Sequence, residues 1–229
     1  MIAILGALDG EIETITRALR EYTTHRFGTY EFRTGTIDRV EVVVGKSGVG
    51  KARAAMVTQY LIDHFPLTKL VFTGLAGSIN PDIRIGDTLV ATDCLQHDLD
   101  ASPLGFARGE IPYEGVRVFA ADPALVDRAS QVLPASGRVH RGRILTGDQF
   151  IDRNGLQSMN YLRTDLAGDA VEMEGASVAS VCSFNGIPFC LVRTISDEAN
   201  QDAKVDFERF LPVASANSMH FIRALIGAD

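Results

Sequence analysis

The chain has 229 residues, 46% of them hydrophobic, enough to bury a sizeable core, and it is read as one domain over 1–229. Its formal net charge is −7, and its 22 Lys and Arg are scattered without a basic run or an interleaved aromatic platform, which argues against nucleic acid as a partner. Cys94, Cys182 and Cys190 are well separated within apolar stretches, so they read as buried free thiols of a reducing cytoplasm rather than as a disulfide framework or a metal site.

In chain order, apolar runs bounded by Gly or Asp alternate with helical periodicity. "IAILGAL" (Ile2 to Leu8) reads as a buried strand. The N-terminus lacks a basic n-region and turns acidic where a signal cleavage site would fall. "EIETITRALREY" follows, with Ile12, Ile15 and Leu19 at helical spacing. "VEVVVG" (Val40 to Gly45) predicts a second strand, and "KARAAMVTQYLIDHF" a helix. "KLVFTGLAGS" and "DTLVATDCLQHD" predict two more strands, joined through a turn containing Pro and Gly. Beyond an irregular stretch from Leu99 to Gly115, strand-like runs recur at "VRVFAA", "VHRGRILTG", "DAVEME" and "IPFCLVRTIS". Helical patterns intervene at "DPALVDRASQVL", "GASVASVCSFN" and "FERFLPVASANSMHFIRALIG". No apolar run approaches the ~18 residues of a membrane span. The alternation predicts an α/β fold, a three-layer α/β/α sandwich on a mixed, mostly parallel sheet, with ligands outside the carboxyl ends of the strands.

The stretch "GKSGVGKA" (Gly45 to Ala52) approximates a phosphate-binding loop, with Gly45, Gly50 and Lys51 in place. Position 52 is Ala, so the hydroxyl that would ligate Mg²⁺ is missing and the ATP reading is weak. The strand ends are richer in chemistry. "AVEMEGAS" carries Glu172 and Glu174 two apart, which on an extended segment share one face; "VRTISDEAN" ends in Arg193, Ser196 and Asp197; Asp9 and Glu11 follow the first strand. Each has an ordinary reading as helix-terminal charge or cap. Together they bring Glu11, Glu174 and Asp197 to strand ends that can share one cleft without a metal-ligating His cluster. Such a set suits acid/base cleavage of a glycosidic bond, one carboxyl protonated and another ionised.

"GALDGEIE", "KSGVGKARAA", "TGLAGS", "IGDTLVATD", "HDLDA", "GDQFI", "AVEMEGASVASVC" and "VRTISDEA", in this order, resemble the 5′-methylthioadenosine/S-adenosylhomocysteine nucleosidases of the nucleoside phosphorylase superfamily. The resemblance runs over essentially the whole chain. It implies a homodimeric, cofactor-free hydrolase of small adenosine derivatives. Asp197 would protonate adenine N7, and Glu11 would orient and deprotonate the attacking water, with Arg193 helping to place it. Glu174 would grip the ribose hydroxyls beside Met173. Phe150 would stack on the base and the Ile151 backbone would read its edge, with Ser196 and Glu172 close by. Leu8, Val49 and Phe207 would wall the alkylthio pocket, into which a partner subunit would insert Ala101, Leu104 and Pro112.

The superfamily's phosphorylases hold phosphate with an Arg in the first loop and a Ser in the "TG-x-x-G" turn; this chain has Glu11 and Leu75 there, which favours water as nucleophile. Leu75 also replaces a Ser common in the nucleosidases. Leu8, Ala101, Leu104 and Phe106 depart from the commonest residues around the 5′ end of the substrate. An aminofutalosine hydrolase, a purine nucleoside phosphorylase, and a nucleoside-binding or storage protein are the alternatives.

Overall fold

The structure, a computed structural model, describes residues 1–151, 153–197 and 203–227, with the side chains of 153–154 and 203–209 left undescribed. One sheet organises the chain. β1 (Ile2–Gly6) pairs in parallel with β4 (Val40–Lys46) on one side and β5 (Lys69–Ser78) on the other. All five residues of β1 are buried, as a central strand covered on both faces requires. Outside β4 lie the antiparallel strands β3 (Tyr30–Ile37) and β2 (Arg20–Phe27). Beyond β5 the pairings branch. β10 (Phe189–Asp197) runs parallel to β5 and antiparallel to β6 (Thr88–Gln96), whose edge takes the two-residue β7 (Phe119–Ala120). β8 (Val139–Thr146) pairs in parallel with β6 and with β9 (Ala170–Glu172), and β9 returns antiparallel to β5. Thus the carboxyl end of β5 meets β9 and β10 together.

Helices cover this sheet in two groups. α7 (Ala203–Ile226) packs along β5 and β10 and against α1 (Glu13–Ala18) and α3 (Pro123–Ser130). It buries Phe221, Ile222, Leu225 and Ile226. α2 (Lys51–His64) packs on α6 (Gly175–Phe184), which buries Ala176, Val178, Ala179 and Cys182. The short helices α4 (Arg153–Ser158) and α5 (Tyr161–Thr164) lie between β8 and β9. The α/β architecture expected from the alternation is therefore present, on a mixed sheet.

One early expectation is corrected. The helix predicted from Glu11 to Tyr22 ends at Ala18, and the chain leaves it at Leu19 with an extended ψ of 137°. Thr23 and Thr24 are β-branched and belong to the hairpin of β2 and β3, where they pair with Thr34 and Arg33. The run "VRVFAA" supplies only Phe119 and Ala120 to the sheet.

Candidate active site

A cavity of about 280 Å³ opens at the carboxyl ends of β1, β5, β9 and β10. Glu11, Glu174 and Asp197 all line it. So do Leu8, Val49, Leu75, Phe150, Ile151, Glu172, Met173 and Ser196 from the expected set. Ala7, Ala76, Gly77, Gln149 and Val171 also line it; they were not singled out from the sequence, although Ala76 and Gly77 lie in the "TGLAGS" strand end and Gln149 within "GDQFI". Ala101, Leu104 and Pro112 do not line it, and Leu104 is 69% exposed. The side chain of Phe207 lies outside the described residues.

Glu11 ends a single tight turn, Asp9–Glu11, that directly follows β1 and folds its carboxylate back over that strand end. One oxygen accepts the amides of Ala7 (2.6 Å) and Leu8 (2.9 Å), and the other accepts the Leu75 amide (2.9 Å). Burial raises this carboxyl above its ordinary value of 4.5, against the opposing pull of Arg193 and the three amides. Its approach to β5 depends on Gly74, where a Cβ would stand 2.5 Å from Glu11 Oε1.

Asp197 is the last residue of β10, aligned with Gly77 of β5 across a bulge after Ile195. The Ser196 hydroxyl donates to Asp197 Oδ2 at 2.8 Å. A Cβ at position 77 would come within 2.9 Å of Asp197 Oδ1, so glycine there leaves room for the carboxylate. Register thus brings the acid of β10 to the same cavity as the acid that follows β1.

The two glutamates of "VEMEGA" both line the cavity but take different partners. β9 ends at Glu172, and the backbone then turns into α6. Glu172 accepts the Gly175 amide at the start of α6, at 2.7 and 2.9 Å, together with the Thr146 hydroxyl and Arg193 Nη2 (2.8 Å). It carries the helix-terminal charge that the sequence left as the ordinary reading. Arg193 is 1% exposed, lies with Cζ 4.1 Å from the Phe72 ring centroid, and donates to the Phe72 carbonyl. Its guanidinium lies behind the lining of the cavity, held by Glu172, and acts on Glu11 through its charge. Removing one member of such a pair leaves the other charge buried alone. Glu172→Ala is therefore expected to cost about 3 kcal/mol of stability; a urea-denaturation difference under about 1 kcal/mol would contradict this reading of the pair.

Glu174, which also lines the cavity, accepts the Gly50 amide at 2.8 Å. Burial, followed by the neighbouring Glu172 carboxylate, pushes its carboxyl from 4.5 up to about 8. Because folding raises this pKa, the contribution of Glu174 to stability is complete below pH 4.5 and is lost as pH rises through about 8. A Glu174→Gln variant is expected to gain stability relative to the wild type between about pH 5 and pH 8. Parallel denaturant titrations at the two pH values measure it, and a pH-independent difference between the proteins is the contrary result.

The same Gly50 amide answers the question raised by the phosphate-loop pattern. Its N–H holds Glu174, the Lys51 amide holds Asp148 (2.8 Å), and the Lys51 ammonium holds Asp98 (2.6 Å). The groups that would cradle phosphates in an ATP site are committed to carboxylates of the chain.

Comparison with known proteins agrees with this arrangement. The model of the Phosphorylase superfamily matches residues 1–227. The chain is 35% identical, over 98% of its length and 95% of the relative's, to a 5′-methylthioadenosine/S-adenosylhomocysteine nucleosidase of Geobacillus thermodenitrificans. The solved structure of the nucleosidase of that name from Neisseria meningitidis, in complex with methylthio-immucillin-A, superposes with a TM-score of 0.91 at 29% identity, covering 98% of this chain and 97% of the other. A futalosine hydrolase of Helicobacter pylori superposes with a TM-score of 0.90 at 34% identity, covering 98% and 96%. By full-length sequence similarity, by fold and by the carboxylates gathered where β5 meets β9 and β10, the chain belongs to the 5′-methylthioadenosine/S-adenosylhomocysteine nucleosidase family of the phosphorylase superfamily.

Proposed function

We propose that this protein hydrolyses the N-glycosidic bond of 5′-methylthioadenosine, S-adenosylhomocysteine and related 5′-substituted adenosines, releasing adenine. The observation that carries this reading is that Glu11, Glu174 and Asp197, from three distant parts of the chain, line one cavity of nucleoside size. Asp197 gives its proton to N7 as the C1′–N9 bond breaks, so the bonding pair leaves on a neutral base. Positive charge then grows on the ribose, whose hydroxyls the Glu174 carboxyl takes beside Met173. Glu11 orients a water toward C1′ and receives its proton as the C–O bond forms. The products are free adenine and the 5-substituted ribose.

Phe150, 56% exposed at the cavity, covers the face of the base, and Ile151 lies at its edge. Leu8, Val49 and Leu75 give the remaining wall its apolar character. A second copy of the chain supplies Ala101, Leu104 and Pro112, which would cover the exposed Leu104 and close the 5′ end of the pocket. The buried, free Cys94, Cys182 and Cys190 support placement in the reducing cytoplasm. Among the described residues no helix is long and apolar enough to cross a membrane.

Purified protein incubated separately with methylthioadenosine, S-adenosylhomocysteine and aminofutalosine is expected to release adenine from the first two. No release from any of the three removes the hydrolase reading. Release from aminofutalosine alone favours the second reading, to which the Helicobacter pylori futalosine hydrolase lends weight.

A further inference from the structure

Lys51 belongs to the phosphate-loop pattern, and the reaction above gives it no task. Its ammonium donates to Asp98 Oδ1 at 2.6 Å and stands 4.0 Å from Asp148 Oδ2. Its own amide donates to Asp148 Oδ1 at 2.8 Å, and the Asp148 amide donates to Asp98 Oδ2 at 2.9 Å. Its carbonyl accepts from the Ser177 hydroxyl at 2.7 Å. One residue therefore joins four segments: the loop before α2, the chain after β6, the loop after β8 and the first turn of α6. Three of these carry cavity residues within three positions of the junction: Val49 two before Lys51, Phe150 two after Asp148, and Glu174 three before Ser177.

The junction is more than a surface ion pair. The Lys51 and Asp98 side chains are only 19% and 21% exposed. Although burial pulls the Asp98 carboxyl upward, the hydrogen bonds from Lys51 and the Asp148 amide bring it below its ordinary value, so Asp98 is held as the carboxylate. Loss of the ammonium would leave Asp98 and Asp148 facing each other without a cation and free the loop that holds Gly50 on Glu174.

We propose that Lys51 is a positioning residue, whose side chain clasps Asp98 and Asp148 so that the Gly50 amide holds Glu174 and Phe150 lies over the base. It acts on the geometry that receives the nucleoside and touches none of the reacting atoms. Its loss should therefore weaken binding and leave the bond-breaking step nearly intact.

This rests on the nucleosidase reading, so the test combines steady-state adenine release from methylthioadenosine with calorimetric titration by adenine, which needs no turnover. Lys51→Met is expected to raise KM and weaken adenine binding by about tenfold, with kcat changed by less than about twofold. Lys51→Arg, which can still reach a carboxylate, recovers most of the loss. Asp98→Asn, which keeps the shape of the site, reproduces the Lys51→Met phenotype, and the double variant is no worse than either single one. Wild-type KM and adenine affinity in Lys51→Met, or a fall in kcat at unchanged KM, overturns the proposal. A wild-type enzyme that binds adenine but never releases it from a nucleoside overturns the nucleosidase reading alone, and the adenine titrations of the variants then decide the clasp.

Discussion

Asp197→Asn is expected to lower kcat for adenine release by roughly a thousandfold, the middle of the range for loss of a general acid, while the folding midpoint hardly moves. The substitution keeps volume and planarity at the end of β10, where Ser196 donates to one oxygen and Gly77 leaves room beside the other. An amide still forms hydrogen bonds, so the purine remains bound. It has no proton of suitable acidity to give, so adenine would have to depart as an anion. Steady-state kinetics beside circular-dichroism melting measure both halves of the prediction. A kcat within tenfold of the wild type would place the acid elsewhere.

Glu11→Gln should produce a loss of similar size by a different route, and with a different stability signature. Both oxygens of Glu11 accept backbone amides, from Ala7 and Leu8 on one and from Leu75 on the other. A carboxamide must turn its NH₂ toward one of these sets, leaving at least one buried N–H without an acceptor, at about 1–3 kcal/mol. Relief of a buried charge offsets part of that cost, since burial already opposes ionisation here. In the proposed reaction the base is met by Asp197 rather than by Glu11, so adenine should bind within about threefold of wild-type affinity, while kcat falls by roughly a thousandfold. Calorimetric titration with adenine and steady-state turnover on the same preparation separate the two. Wild-type turnover in Glu11→Gln would exclude it as the base. A parallel collapse of adenine binding would show instead that the carboxylate supports the pocket as a whole.

The different legibility of these residues in the sequence has physical causes. β1, β4, β5 and β10 are each built around a short apolar run, IAIL, VVV, LVF and FCLV, a pattern that a strand buried on both faces imposes locally, and it appears without knowledge of neighbours. β2 is different: most of its residues are exposed and polar, so it shows no alternation, and Leu19 prolongs the helical spacing of Ile12 and Ile15 one residue past the helix. The three acids were visible because each stands where a strand stops. What the sequence could not distinguish was the work of Glu172 from that of Glu174. They are two residues apart and chemically identical. The partners that separate them, Arg193 at 2.8 Å for one and Gly50 at 2.8 Å for the other, are brought in by strands and loops far away in the chain. Lys51 was likewise readable as a phosphate ligand until Asp98 and Asp148 were seen to occupy it. Fold followed from local composition, whereas the identity of each charge's partner followed from register.

Which oxygen reaches the anomeric carbon is the sharpest question to put to this site, because Glu11 and Leu75 suit water and oppose phosphate. Turnover of methylthioadenosine in ¹⁸O-water, with and without added inorganic phosphate, followed by mass spectrometry of the sugar, answers it. The expected product is 5-methylthioribose carrying ¹⁸O at C1, formed at a rate that phosphate does not change. Unlabelled sugar 1-phosphate, or a reaction that stalls without phosphate, would contradict hydrolysis at this site.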